Sequence, residues 1–283
     1  MVHNTIRQDP AYVLGRTDAE AERLRLQAEL LDPITRHFLQ DAGLTAGMHV
    51  LDVGSGMGDV AFAAADLVGP TGSVVGVDPN ASVLETARVR AAAANRHNVT
   101  FVTGDCRTAA LPDTFDAAVG RFVLMYTADV TQTVLAISEH VIPGGILAFA
   151  EADFSSVLGY AQASAAHEAH TIWAWAERAF ACAGIHTAMA PHVYRAFLAA
   201  GLDEATMSMH APLCGAEGWA GFDWFAASLR SLLPVLEQYG IVSAEALDLE
   251  RVAEQCRAEV AQTCVPLMLI PMVTAWARKP TNV

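Results

Sequence analysis

The chain has 283 residues, 53% of them hydrophobic and 17% charged, which supplies a large core and excludes a disordered or low-complexity chain. Seventeen basic residues against 31 acidic ones give a formal charge of −14, and with no Lys/Arg cluster such a surface repels phosphate backbones, so nucleic acid is not an expected partner. The apolar run at 265–277 is short for a membrane span and broken by Pro266 and Pro271, the N-terminus shows no secretory pattern, and five scattered cysteines form no CxxC pair. The expectation is a cytoplasmic protein with reduced thiols and no membrane partner.

In chain order, helical apolar spacing at Leu24, Leu30, Leu31, Ile34 and Phe38 predicts leading helices, interrupted at Asp32-Pro33 and stopped at Gly43. From Met48 to Glu151, short β-branched runs at 49–53, 74–77, 99–103, 117–120 and 146–150 alternate with helical stretches near 59–67, 82–94 and 130–140. Gly69-Pro70 and Pro143-Gly144-Gly145 read as stops. Such alternation predicts an α/β fold, a doubly wound and mostly parallel sheet with helices on both faces and its ligand edge at the strands' C-terminal ends. Beyond Glu151 come a helical stretch at 164–183, a short helix at 192–200, a strand at 204–210, helices at 219–239 and 249–262, and a last strand at 267–278. The expected division is an N-terminal helical cover at 1–45, a ligand-binding core at 46–153, a helical lid insertion at 154–201, and the remaining strands with a helical insertion at 202–283.

The strongest motif is Val50-Leu51-Asp52-Val53-Gly54-Ser55-Gly56-Met57-Gly58-Asp59, a buried strand entering a glycine turn and then a helix. Glycines there let a ligand approach the backbone at a helix N-terminus. A dinucleotide fingerprint needs a third glycine where Asp59 stands, and Asp52 and Asp59 together suit an ammonium or sulfonium and oppose a pyrophosphate. A nucleoside without phosphates is therefore expected. Asp78 ends the second strand, where a carboxylate can accept from both hydroxyls of a ribose; Asn80 or the Ser82-x-x-Glu85 box is the better helix cap. Asp105 ends the third strand, placed to accept from an exocyclic amine of adenine.

These motifs, with Leu111-Pro112 before Phe115-Asp116 and with Pro143-Gly144-Gly145, resemble in order and spacing those of class I S-adenosylmethionine-dependent methyltransferases. The likeness covers about residues 48 to 151 and implies a Rossmann-like, seven-stranded sheet. Tyr12-Val13-Leu14-Gly15, Gly120 to Tyr126 and Trp276-Ala277-Arg278-Lys279 extend it to bacterial small-molecule methyltransferases of the ubiquinone/menaquinone-biosynthesis type. It implies S-adenosyl-L-methionine held by Gly54, Ser55, Gly56, Asp78, Pro79, Asn80, Asp105, Cys106 and Arg121. The methionyl part would lie over Gly54 and Gly56, the ribose on Asp78, the adenine near Asn80, Asp105 and Cys106, and Arg121 beside the methionine.

A sulfonium methyl is already electrophilic, so the protein's work is alignment and water exclusion, with a base useful for a hydroxyl or acidic-carbon acceptor. Glu151, just past the fifth strand, is the first base candidate, ahead of Asp153; His170 is the next, sharing a helical row with Trp173 and Glu177. A metal at His167 and His170 would need His186 or His192 to converge, and none is expected. Tyr12, Phe122, Tyr126, Phe154 and Trp173 are the candidate acceptor-lining aromatics. The expected function is methyl transfer to a small, partly apolar metabolite, such as one of secondary metabolism, at oxygen before carbon or nitrogen. Rival readings are a cyclisation or isomerisation that uses the cofactor structurally or electrostatically, and a non-catalytic cofactor-binding protein. A homodimer is left open.

Overall fold

The computed structural model describes residues 18–111, 114–164, 167–202, 204–215 and 217–281. After α1 (Asp18–Asp41), the chain alternates β1 (His49–Val53), α2 (Asp59–Val68), β2 (Ser73–Asp78), α3 (Ala81–Ala93), β3 (Val99–Thr103), β4 (Phe115–Arg121), α4 (Val130–Glu139) and β5 (Val141–Ala152). Then follow α5 (Ser155–Ala163), α6 (His167–Cys182), α7 (Met189–Ala199), β6 (Thr206–His210), β7 (Leu213–Cys214), α8 (Gly221–Gln238), α9 (Val252–Thr263), β8 (Leu267–Met268) and β9 (Met272–Arg278). Seven strands form one sheet in the order β3-β2-β1-β4-β5-β9-β6, and β7 pairs with β8 apart from it.

Within the sheet, β1 pairs in parallel with β2 and β4, β2 with β3, and β4 with β5. The expected α/β fold with a seven-stranded, mostly parallel sheet is therefore present. Strand order reverses between β1 and β4, and at such a reversal the loops beyond the carboxyl ends diverge and leave a crevice. Val50 to Val53 of β1 are all buried, the continuous run required when helices cover both faces. Small residues make that cover close: Ala61, Ala63, Ala64 and Ala65 of α2 are buried in the core beside Val50, Val74, Val119 and Ala148. On β5 and α7, the fully buried Phe149 and Phe197 meet edge to face at 6.4 Å, a contact worth about 0.5–1.5 kcal/mol beyond its buried area. Lys279, just past β9, donates from Nζ to the carbonyls of Ser138 and Val141 at 2.8 and 2.9 Å, placing a cation at the C-terminal end of α4.

Several boundaries depart from expectation. The helix does not break at Asp32-Pro33: α1 runs through Pro33. Pro33 and Glu29, whose carbonyl the ring displaces, both face water, so solvent takes the lost bond, while Leu31 and Thr35 on the opposite face are buried. Pro143-Gly144-Gly145 does not precede the fifth strand but lies within it, because the register jumps from Phe115↔Val141 to Ala117↔Ile146. The helical stretch expected at 164–183 is two helices, α5 and α6, and the last strand is two, β8 and β9, separated around Pro271, which has no N–H for a ladder.

The described residues gather into two units. One holds 18–31, Ala152–Met189 and Met209–Met272. Its centre is an aromatic cluster in which Trp173 meets Phe154 at 5.8 Å and Phe225 at 5.1 Å, and Phe154 meets Phe180 at 5.4 Å. The other holds Asp32–Glu151, Ala190–Ser208 and 273–281, with the sheet and the glycine turn. Among the described residues no helix is long and apolar enough to cross a membrane.

Candidate functional site

The glycine turn leaves β1 at the sheet's reversal point. Gly54 and Gly56 have φ of +64° and +53°, the left-handed region that side chains rarely enter. A Cβ on Gly54 would lie 2.5 Å from Val123 Cγ2, so the residue is glycine for space as well as for conformation. Asp78 at the end of β2 holds the turn: its Oδ2 accepts from the Gly56 N–H at 3.1 Å and its Oδ1 from the Asn80 N–H at 2.8 Å. The Gly104 N–H in turn donates to the Asp78 carbonyl at 3.0 Å, bringing the end of β3 alongside. Asn80 caps α3 through Oδ1, which accepts from the Ser82 N–H at 3.1 Å, and Pro79 is exposed between the two. Gly54, Ser55, Gly56, Asp78, Pro79 and Asn80 thus stand together.

Asp52 is the electrostatic anomaly of the site. It is 1% exposed, and neither carboxylate oxygen has a hydrogen-bond partner; the neighbouring Ser55 hydroxyl is likewise buried and unpartnered. Burial pushes the carboxyl up to about 7, against the Ser55 hydroxyl, the Arg121 guanidinium and the Ala61 N–H, which lie near enough to favour the ionised form without bonding it well. Arg121 itself donates to Thr35 Oγ1 at 2.8 Å and stands 4.0 Å from Asp59, so its charge serves both Asp59 and Asp52. Asp59, at the place of a dinucleotide motif's third glycine, pairs with Arg90 at 2.8 Å, and Arg90 also donates to the Met57 carbonyl of the turn at 2.6 Å. Sequence reasoning missed Arg90, and its place on the third helix carried no motif to signal it.

At the end of β3, Asp105 receives Nε of Arg107 at 2.9 Å, and that guanidinium holds the carboxyl below its usual range. Cys106 is buried and its carbonyl lies 3.2 Å from His140 Nε2.

Glu151 has different surroundings from those a base needs. It is 0% exposed; Oε1 accepts the N–H groups of Val123 and Leu124 at 3.1 and 2.9 Å, and Oε2 that of Met125 at 3.2 Å. Burial raises its carboxyl to about 7 while these three donors pull it down. The peptide it grips follows Phe122, which has φ +58°, and precedes Tyr126 at the end of a short 3-10 turn over Leu124–Tyr126. Phe122 and Tyr126 are half-buried beside this turn, and Arg121 lies 6.0 Å from the Phe122 ring.

The remaining candidates fall elsewhere. Phe154 and Trp173 are 1% and 4% exposed in the aromatic cluster of the other unit, where Trp173 Nε1 donates to the Met268 carbonyl at 3.1 Å. They pack as core there, each ring against aromatic neighbours. His170 is half-buried on α6 in that same unit. Asp153 accepts from the Ser155 N–H at 3.0 Å and from its hydroxyl, and so starts α5. Tyr12 lies outside the described residues. Among the described residues no three His, Cys, Asp or Glu side chains gather to hold a metal.

S-adenosylmethionine fits the residues present. The orphaned Asp52 carboxylate asks for a cation, Gly56, whose missing Cβ would meet only the Gly54 carbonyl at 4.0 Å, leaves the turn's backbone approachable, and Asp78 stands at a strand end with lone pairs suited to hydroxyl donors.

Comparison with known proteins agrees with this geometry. Residues 44–201 match a family model described as a methyltransferase domain. Aklanonic acid methyltransferase DauC of Streptomyces sp. (strain C5) is 29% identical over 126 residues, 44% of this chain and 57% of that protein. The ubiquinone/menaquinone biosynthesis C-methyltransferase UbiE of Pseudomonas putida is 34% identical over 114 residues, 40% of this chain and 44% of that one. The chain spans about half the length of the curated relatives it matches. Among solved structures, the [4+2]-cyclase SpnF superposes with a TM-score of 0.52 at 20% identity, over 89% of this chain and 81% of that one, a likeness of fold alone. With the family model matched across the glycine turn and all five leading strands, the chain belongs to the methyltransferase-domain family of class I, S-adenosylmethionine-dependent proteins.

Proposed function

We propose that the chain transfers a methyl group from S-adenosylmethionine to a small, partly apolar metabolite, with oxygen as the first attacked atom to test. The observation that carries this reading is the pair of buried, unpartnered Asp52 oxygens at the head of the glycine turn. A carboxylate stripped of water and bonds stabilises a cation placed near it, and leaves a phosphate-bearing ligand disfavoured. When bound, the cofactor supplies a methyl group activated on a sulfonium. The chain's residues do the rest. Gly56 admits the ligand against backbone, Gly54 lets the turn form against Val123, Asp78 orients hydroxyl-bearing parts while fixing Gly56, and Arg121, tied to Thr35, neutralises part of the acidic wall. For Asp105 to accept from adenine it must share its oxygens with Arg107.

Removal of an acceptor's proton is not assigned to Glu151, whose oxygens are occupied by backbone donors away from solvent. Alignment is enough for an acceptor already ionised or strongly nucleophilic. The test is incubation with methyl-labelled cofactor and a panel of small hydroxylated aromatic and aliphatic compounds, followed by location of the label in the product. Label on oxygen supports the full proposal; label on carbon, the chemistry in the printed name of UbiE, corrects the attacked atom. A rearranged product with no label, formed only when cofactor is present, replaces methyl transfer by the cyclisation or isomerisation reading.

A further inference from the structure

We infer that Glu151 is a positioning residue for the glycine turn: it grips the peptide after β4 and, through the Val123 side chain, sets the surface on which Gly54 rests. The inference rests on the cofactor reading above.

Phe122 occupies the left-handed region at φ +58°, costly for a bulky aromatic, so its conformation must be imposed from both sides. On one side its N–H donates to the Ala150 carbonyl at 2.9 Å, continuing the ladder with β5. On the other, the next three N–H groups all converge on the Glu151 carboxylate, within 3.2 Å. This reversal turns Val123 back onto the end of β1. The three atoms nearest the missing Cβ of Gly54 are all from Val123, Cγ2 and Cγ1 and Cβ at 2.5, 3.2 and 3.4 Å, whereas the same position on Gly56 meets only the Gly54 carbonyl, at 4.0 Å. Val123 is therefore the side chain packed beneath the first turn glycine.

The residue type follows from the donor count. Three N–H groups need acceptors, and two carboxylate oxygens supply them; a glutamine of the same shape must point its own NH₂ at a backbone N–H. Glu151→Gln therefore keeps volume and breaks the grip. Phe122→Gly removes the conformational cost that the grip opposes, since glycine enters the left-handed region freely.

The experiment compares the wild-type chain with Glu151→Gln, Val123→Ala and the double variant Glu151→Gln/Phe122→Gly. The readouts are amide exchange at 54–56 and 123–125, and calorimetric affinity for S-adenosylhomocysteine. Expected for Glu151→Gln are faster exchange in both segments and at least tenfold weaker binding, with part of that loss regained in the double variant, a rescue that a general fold anchor would not give. Val123→Ala keeps the grip, so it should speed exchange at 54–56 alone and weaken binding, which tests the path even if Glu151→Gln does not fold. Exchange at 54–56 unchanged in both single variants overturns the inference. So does a Glu151→Gln protein that binds S-adenosylhomocysteine as wild type yet transfers methyl 100-fold more slowly, the behaviour of a base. A wild-type chain that fails to bind S-adenosylhomocysteine removes the cofactor reading instead, and the exchange at 54–56 still decides the positioning role.

Discussion

Replacing Asp52 by asparagine should make the ligand-free protein more stable and the ligand-bound protein less so. Burial moves the Asp52 carboxyl from 3.8 to about 7; at ~1.4 kcal/mol per unit the ionised side chain costs roughly 4 kcal/mol above neutral pH. The folded value lies above the unfolded one, so this group's favourable contribution is complete below 3.8 and is lost as pH rises through about 7. Asparagine keeps the shape and carries no charge at any pH, but its buried amide brings its own cost of about 1–3 kcal/mol. The net expectation is a variant more stable than wild type by roughly 1–3 kcal/mol at about pH 8, with the advantage gone near about pH 5–6 and reversed near about pH 4, where wild-type Asp52 is largely neutral and the amide cost remains. Urea unfolding across that range measures it directly. In parallel, S-adenosylmethionine, which carries the sulfonium charge, should raise the wild-type midpoint well above its effect on the variant, because a ligand stabilises only the state it binds. A variant less stable than wild type by the same amount at every pH would refute the reasoning, for it would mean that Asp52 is paired within the protein and waits for no cation.

Asp78→Ala removes the acceptor that holds Gly56 and serves hydroxyl donors, and should weaken S-adenosylhomocysteine binding by about 1–3 kcal/mol; calorimetry showing equal affinity ends the ribose assignment. Gly54→Ala should abolish binding, both by the overlap with Val123 and by its φ of +64°, and adding Val123→Ala should restore only the part due to overlap, so full recovery in the pair would show the conformation to be unimportant. Trp173→Phe forfeits the bond to the Met268 carbonyl and should cost about 1 kcal/mol in urea unfolding with cofactor affinity unchanged; a selective rise in KM for an identified acceptor, with stability intact, would return Trp173 to the acceptor pocket.

Much of the fold was legible because its signals are local. The runs at 49–53 and 99–103 are bounded as β1 and β3 are, since apolar β-branched residues between turn signals need no distant information. Pro33 misled because its effect depends on which side of the helix faces water, a tertiary fact. At the candidate site, the glycines and the carboxylates at strand ends could be read in sequence since the parallel pairing of β1 to β5 brings their C-terminal ends to one edge. Glu151 shows the limit. Read as lying past the fifth strand, it suggested chemistry, but the strand runs on to Ala152 and contains it, its three donors lie 26 to 28 residues earlier, and nothing in their identities, Val123, Leu124 and Met125, announces that their backbone points at a carboxylate. Phe154 and Trp173 were ambiguous for a related reason: an aromatic on a helix looks the same in sequence whether it lines a cavity or fills a core.

The cation at the end of α4 has a practical consequence. Lys279 is the one lysine in the chain, and its ammonium is spent on the carbonyls of Ser138 and Val141. With two of its three N–H groups held by those carbonyls, the nitrogen is confined beside the end of α4, and an acylating reagent reaches it fastest when the strand's end swings away. The rate of lysine acylation is therefore a single-site clock for detachment of the last strand's end, readable by mass spectrometry without introducing any label or mutation.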